Sequence, residues 1–455
     1  MALQLPQEFE NYMESRLGPQ FEGFRQSFEK PAPVSIRFNP RKTSHYAGET
    51  IPWSMYGRYL PERPIFTLDP RLHAGAYYVQ EASSMFLEQA LQHSVDLAKP
   101  LNVLDLCAAP GGKSSHLLSM LSGESLLISN EVIRNRTSVL SENIQKWGHD
   151  NVIVTNSDPS DFQRLPEFFD LILVDAPCSG EGLFRKDPDS MKEWSPKNVE
   201  SCSLRQRRIV SDVWPSLRQG GVLIYSTCTY NEKENLENMT WLHSKQDLEC
   251  IQLVPKKEWG VETINKGKVF GYQCFPHRVK GEGLFLAAVR KKNGGSQPNS
   301  KSKDVLKYPT NSQVREFSPW IISPESQCFF LHHQVVKMLP VSKKMEMLLA
   351  LRHLNVMSVG TAVAEIMKNK LVPEHALALS IKLRKENIAR LSVDLSQALI
   401  YLRKNPLSLP SERLGFALIE FEGLGLGWVN VLQNRLNNLY PASWRILMEG
   451  PGTGQ

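Results

Sequence analysis

The stretch LNVLDLCAAPGGKSS, residues 101–115, decides the fold. It begins as a short apolar run closed by Asp105-Leu106. It continues through a Gly-Pro loop into a helix pattern from Lys113 to about Leu121. Strand, glycine turn and helix in that order are how a ligand-binding α/β unit opens. Gly112-Lys113-Ser114 has the look of a P-loop tail, but a P-loop is G-x-x-x-x-G-K-[ST]. The position five before Gly112 is Cys107. Without a glycine there, the backbone loses the turn that wraps phosphates. DLILVD (170–175) mimics a Walker B strand, so an ATPase stands as a rival reading.

Outward from this unit the pattern repeats. SLLISN (125–130) reads as a second strand closed by Glu131, and a helix pattern then runs to Trp147 and stops at Gly148. NVIVTN (151–156) and DLILVD are the third and fourth strands. Ser195 caps a helix with Pro196 at its first position, running to about Leu217. VLIYS (222–226) is the fifth strand, a helix follows from about Glu232, and Gly283 to Val289 is a late strand. Strands spaced by helices predict βαβ units and a parallel sheet covered on both faces.

The chain has 455 residues, which suggests about two to four domains. With 41% hydrophobic and 22% charged residues and a formal charge of +6, it permits a nucleic-acid partner without demanding one. Seven cysteines are widely spaced, with no C-x-x-C pair and no histidines at zinc spacing. This argues against a disulfide framework and a structural zinc, and leaves the thiols free for chemistry in a reducing cytoplasm. His332-His333 reads as structural. The N-terminus has early acids and no apolar core of a secretory signal, and no stretch approaches the roughly 18 apolar residues of a membrane span. Residues 1–75 read as a small α/β domain, 76–290 as the main domain, 291–304 (rich in Gly, Ser, Asn and Lys) as a linker, and 305–455 as a third unit.

Three acids stand at successive strand ends: Glu131 after the second, Asp158 just past the third, and Asp175 closing the fourth. Together they suit a ribose, an adenine amino group and a cationic centre, as in S-adenosylmethionine. A polyphosphate-binding site would not favour its sulfonium. Two cysteines also follow strand ends, Cys178 in Asp175-Ala176-Pro177-Cys178 and Cys228 in Ser226-Thr227-Cys228. The fourth and fifth strands commonly adjoin, so both thiols are expected to face one crevice. Cys202, Cys250, Cys274 and Cys328 read as core filler. A helix capped near Asn231 would lower the Cys228 pKa from about 8.5. A thiolate beside a methyl donor suggests one reaction. Addition to carbon 6 of a pyrimidine makes carbon 5 nucleophilic enough to take the methyl group. A base then removes the carbon-5 proton and the thiol leaves.

At these residues the sequence resembles the NOP/Sun family of RNA cytosine-5 methyltransferases. The resemblance covers roughly 30–290. It rests on Asp105 to Lys113, on DAPCSGEGLFRKDP (175–188), on STCTY (226–230), on Arg37-Phe38-Asn39-Pro40-Arg41-Lys42, and on VQEASSM (79–85). It implies a Rossmann-like class I methyltransferase sheet. Cys228 is then the nucleophile, Cys178 aids release, and Asp175 contacts the cofactor end and the target cytosine. Cys107, Ala108, Ala109, Pro110, Gly111, Gly112, Lys113, Glu131, Asp158 and Asp175 hold S-adenosylmethionine. The layout, with FEGLGLGWVNVLQNRLNNLYP (421–441), resembles the RsmF-like branch, which acts on 16S rRNA. That implies an N-terminal ferredoxin/RRM-like domain, a C-terminal PUA-like α+β region, and a cytoplasmic monomer that binds RNA or the small ribosomal subunit. Candidate RNA contacts are Arg37, Arg41, Lys42, Arg185, Lys186, Arg205, Arg207, Arg208, Arg290, Lys291 and Lys292. Trp428, Tyr440 and Trp444 could stack on bases but read first as core. An assembly factor with vestigial activity, a tRNA substrate and a DNA methyltransferase are the other readings.

Overall fold

The computed structural model describes residues 5–42, 47–295, 303–368, 370–410 and 413–448. An N-terminal sheet is built from β1 (Val34–Phe38), β2 (Gly57–Leu60) and β3 (Tyr77–Val79), antiparallel in the order β2-β1-β3. Its third strand carries this unit past the boundary expected at 75. The two helices before it, Gln7–Leu17 and Phe21–Ser27, do not cover this sheet. Their Phe9, Met13 and Phe24, with Phe28 just after the second helix, pack on Phe184, Trp194, Tyr230 and Phe275 of the main domain. Phe9 meets the Phe184 ring edge-on at 5.1 Å.

The main domain is a ten-stranded sheet. Its strands are β4 (Asn102–Asp105), β5 (Leu126–Asn130), β6 (Val152–Thr155), β7 (Phe169–Asp175), β8 (Leu217–Thr227), β9 (Leu248–Cys250), β10 (Glu262–Lys266), β11 (Val269–Cys274) and β12 (Leu284–Lys291), joined by a tenth from the C-terminal region. From β8 through β7, β4 and β5 to β6 the neighbours are parallel. β12 adds antiparallel to β8. Chain order reverses at β4, so the crevice for a ligand opens beyond the carboxyl ends of β4 and β7. These strands are apolar nearly throughout because helices cover both faces. Val103 faces Leu117, Leu118 and Leu140, while Leu104 faces the side that holds Ile209, Val210 and Met239.

The expected elements are present with two shifts. Ser195 caps its helix by accepting from the Asn198 N–H at 3.1 Å, but the helix ends at Val213 and β8 starts at Leu217. The helix expected from Glu232 begins at Leu236, because the intervening residues form turns: the Asn235 N–H donates to the Asn231 and Glu232 carbonyls. The sheet also runs into the expected linker. Lys291 ends β12 and its buried Nζ donates to Glu167 at 2.7 Å. Residues 296–302 of that stretch lie outside the described residues.

The C-terminal region has two sheets. The first contains β13 (Gln327–His332), β14 (Val335–Pro340), β16 (Thr361–Met367) and β17 (Lys370–Pro373). Between its second and third strands the chain lends β15 (Val356–Val359) to the edge of the main sheet, antiparallel to β6. The second sheet, β18 (Ala389–Ser392), β19 (Gly415–Phe421), β20 (Leu424–Val431) and β21 (Leu436–Asn438), shares a core with Ala74 and Ala76 of the N-terminal unit. No described helix is long and apolar enough to cross a membrane.

Candidate active site

After β4 the chain turns sharply. The Ala108 N–H donates to the Asn130 carbonyl at 2.8 Å, and the Gly111 N–H donates back to the Ala108 carbonyl at 2.8 Å. Gly111 has φ +113°, a left-handed conformation that favours glycine. A Cβ on Gly112 would lie 3.2 Å from the Tyr78 ring. Burial raises the Cys107 thiol far above its usual range, so it shapes this loop as a neutral group. Burial also pushes the Asp105 carboxyl up to about 7. Its Oδ2 accepts from Ser114 Oγ at 2.7 Å, and its buried Oδ1 has no partner among the described residues.

Glu131 lies just beyond β5, almost fully buried. It accepts from the Ile133 N–H at 2.8 Å and pairs with Arg136 at 3.5 Å. Arg136 also donates to the Ala109 carbonyl at 2.9 Å, linking this acid to the loop. Asp158 caps the 3₁₀ turn Pro159–Arg164 and pairs with Arg208 at 3.3 Å. Hydrogen bonds from Ser160 hold its carboxyl below the usual range. Asp105, Glu131 and Asp175 around a glycine-shaped loop fit a cationic nucleoside and would repel a polyphosphate. The orphaned Asp105 oxygen is a feature a bound cation or donor would satisfy.

On the other side of the crevice Asp175, the last residue of β7, accepts from Lys113 Nζ at 2.7 Å and from Ser226 Oγ at 2.7 Å. Lys113 therefore points inward. Burial alone would lower its pKa, but the Asp175 carboxylate more than offsets that and raises it. Asp175 pairs in register with Ser226 of β8, so the loops that follow run side by side. They bring Cys178 Sγ to 3.1 Å from Cys228 Sγ, with both thiols free and half-buried. Its hydrogen bond with Cys228, with burial second, raises Cys178 well above the usual thiol range, and either sulfur can be the donor between them. Cys228 does not sit at a helix start. Asn231 caps only a turn, its side chain accepting from the Lys233 N–H and donating to Glu181, and the helix proper starts at Leu236 behind Asn235.

Sequence reasoning missed the residues behind the thiols. Gly182 is one: its N–H donates to the Cys228 carbonyl at 2.7 Å, and a Cβ there would approach that oxygen to 2.4 Å. Glu181 and Glu234 are buried among donors from the opposite loop. Ser226, which bonds Asp175, and, on the Glu131 side of the crevice, Asp105 and Arg136 were missed as well. The one signal in the sequence was that Glu181 and Gly182 fall within DAPCSGEGLFRKDP, a segment on which the resemblance rests.

Several basic residues proposed for RNA are struts instead. Arg37 is fully buried, donates to Gln80, Ser115, Ser119 and the Gly112 carbonyl, and stacks over Trp147 at 4.6 Å. Burial lowers it to about 9. Lys42 is lowered by burial to about 7 and donates to the Ala74 and Lys146 carbonyls. Arg185 pairs with buried Glu282 at 2.9 Å, and Lys291 is buried on Glu167. These four face the interior because carbonyls and carboxylates satisfy them there. Arg207 bonds Asn238, Arg208 pairs with Asp158 and Asp212, Arg290 donates to the Gly220 and Ser94 carbonyls, and Lys292 lies near Asp247. Arg41, Lys186 and Arg205 are exposed. Trp428 and Tyr440 are core, Trp444 packs against that core, and Cys202, Cys274 and Cys328 are buried. Cys250 is half-buried, and the His332 and His333 rings stand edge to face at 4.6 Å.

This geometry agrees with what the chain is similar to. Residues 94–290 match the family model for 16S rRNA methyltransferase RsmB/F. Residues 5–82 match the N-terminal domain of 16S rRNA methyltransferase RsmF, and 389–446 match the methyltransferase RsmF PUA domain. Together the three span most of the chain. Ribosomal RNA small subunit methyltransferase F of Pectobacterium atrosepticum is 36% identical over 63% of this chain and 63% of its own length. The protein of the same name from Shewanella loihica is 29% identical over 90% of this chain and 89% of its own. A solved structure of a methyltransferase homolog protein from Pyrococcus horikoshii aligns with a TM-score of 0.50 and 28% identity, covering 60% of this chain and 91% of that one. The chain belongs to the RsmB/F family of S-adenosylmethionine-dependent RNA methyltransferases, in the three-part RsmF arrangement.

Proposed function

We propose that this chain methylates carbon 5 of a cytosine in 16S rRNA, with Cys228 as nucleophile and Cys178 as the group that frees the product. The observation that carries the reading is the 3.1 Å spacing of two free thiols at the ends of neighbouring parallel strands, beside Asp175. S-adenosylmethionine supplies an electrophilic methyl group. Residues 107–113, Glu131, Asp158 and Asp175 would hold it, and Asp105 Oδ1 adds an acceptor that the sequence reading left out.

Cys228 Sγ adds to carbon 6 of the cytosine, and the ring electrons move to carbon 5, which takes the methyl group. Loss of the carbon-5 proton to a base re-forms the double bond and expels the sulfur. Cys178, kept protonated, donates its hydrogen to the departing Cys228 sulfur. Lys113 holds Asp175 in place at the crevice, where it accepts from the cytosine amino edge. A paired base is first turned out of its helix, at about a few kcal/mol. The exposed Arg41, Lys186 and Arg205 are the proposed contacts to RNA phosphates. The names of the relatives support the small-subunit RNA as target, and the chain is read as a cytoplasmic monomer.

The test is a trap. Wild type, Cys228→Ala and Cys178→Ala are incubated with S-adenosylmethionine and 16S rRNA or tRNA containing 5-fluorocytosine, then denatured. Wild type is expected to stay attached to 16S rRNA and Cys228→Ala to come free. Cys178→Ala should accumulate adduct on ordinary RNA as well. Trapping of Cys228→Ala at the wild-type level would overturn the assignment. Attachment to tRNA alone would overturn the substrate. No attachment in any arm would favour an assembly factor.

A further inference from the structure

Behind the paired thiols each cysteine loop contributes one buried carboxylate, and each carboxylate caps the other loop. Glu234 belongs to the segment after Cys228. It accepts from the Ser179 N–H at 3.0 Å, from Ser179 Oγ at 2.5 Å and from Gln206 Nε2 at 2.7 Å. Ser179 is the residue next to Cys178. Glu181 belongs to the segment after Cys178. It accepts from the Tyr230 N–H at 3.0 Å, from Asn231 Nδ2 at 3.3 Å and from Trp194 Nε1 at 3.0 Å. Both side chains are fully buried, and neither leaves an oxygen without a partner among the described residues.

Two buried carboxylates are an expensive way to join two loops. Burial raises both above the usual carboxyl range, Glu234 to about 7. Apolar packing would hold the loops together more cheaply, but it would not fix the direction of a backbone N–H one residue after Cys178 and two residues after Cys228. A carboxylate that accepts three bonds does fix it.

We propose that Glu234 and Glu181 are positioning residues with separate tasks, Glu234 setting Cys178 for adduct release and Glu181 setting Cys228 for adduct formation. This rests on the assignment of the two cysteines given above. A glutamine at either place has one accepting oxygen and an NH₂ that faces existing donors, so the cap on the opposite loop fails while the size is kept.

The experiment uses the full chain, S-adenosylmethionine and 16S rRNA, and follows adduct formation and product release separately. Glu234→Gln should form the 5-fluorocytosine adduct within about two-fold of the wild-type rate. It should release product at least about ten-fold more slowly and accumulate adduct on ordinary RNA. Glu181→Gln should slow adduct formation at least about ten-fold without accumulation. If Glu234→Gln does not fold, Ser179→Ala, which removes the shortest of the three bonds, should show a smaller release defect of the same kind. A merely structural role would slow both steps alike or neither, and either result overturns the proposal provided Cys178→Ala accumulates adduct. If Cys178→Ala does not accumulate adduct, the cysteine assignment has failed and the proposal falls with it.

Discussion

The two sides of the crevice are built differently. On the β4–β5 side the chain curves around space, with Gly111 in a left-handed turn and the Asp105 Oδ1 atom buried without a partner among the described residues. On the β7–β8 side buried polar groups are closed on one another. Ser179 bonds Thr229 and Glu234, Gln206 bonds Glu234, Tyr225 bonds the Glu234 carbonyl, and Asn235 bonds the Thr229 carbonyl. The difference follows from the work each side does. One side takes in and gives up a molecule at every turnover, so some of its polar groups are satisfied by that molecule. The other keeps two side chains at one separation while bonds form and break, so its polar groups are satisfied by protein.

Four substitutions or conditions would break or sharpen this contrast. The largest effect is expected from Asp175→Asn, the residue where the two sides meet. Lys113 would lose its counter-charge, and turnover should fall at least about a hundredfold with a stability loss of about 2 kcal/mol, since Asp175 is only partly buried. Single-turnover methylation and denaturant melts read both. Next is Gly182→Ala, whose Cβ would press on the Cys228 carbonyl. Turnover should drop at least about tenfold while calorimetric affinity for S-adenosylmethionine stays at the wild-type value; a joint loss would dissolve the contrast. Gly111→Ala is the reverse case. A left-handed alanine costs about 1–2 kcal/mol, which should weaken cofactor affinity roughly tenfold and leave the thiol spacing alone.

The smallest effect concerns pH. Asp105 titrates at about 7, above its unfolded value. The stability it contributes is therefore full below about pH 4 and is lost as pH rises through about 7. Over the same range its carboxylate forms and attracts a cation. Affinity for S-adenosylmethionine should rise several-fold from pH 6 to pH 8, whereas Asp105→Asn should show a flat profile in the same titration.

The parallel sheet was legible in the sequence because five apolar runs, each closed by a polar or turn residue, recur between helices. The crevice was legible because Glu131, Asp158, Asp175, Cys178 and Cys228 all follow strand ends. The buried polar residues were not. Whether Arg37 faces RNA or Trp147 depends on a partner far along the chain, and charge carries no record of that. Nothing in the sequence singles out Glu181 and Glu234, whose partners appear only once β7 and β8 are laid side by side. Phe184 had no visible purpose until the first two helices were seen to pack on it. The delayed helix after Cys228 was misread because Asn231 does accept from the Lys233 N–H as a cap would, but it closes only a turn and the helix starts at Leu236. β15 escaped notice because a four-residue edge strand has too little pattern to stand out.

The account stands on which sulfur carries the pyrimidine. Wild-type chain trapped on 5-fluorocytosine RNA can be digested with nuclease and trypsin and its peptides weighed. The added nucleotide mass should fall on the peptide of residues 219–233, which contains Cys228. The same mass on residues 165–185, which contain Cys178, would contradict it.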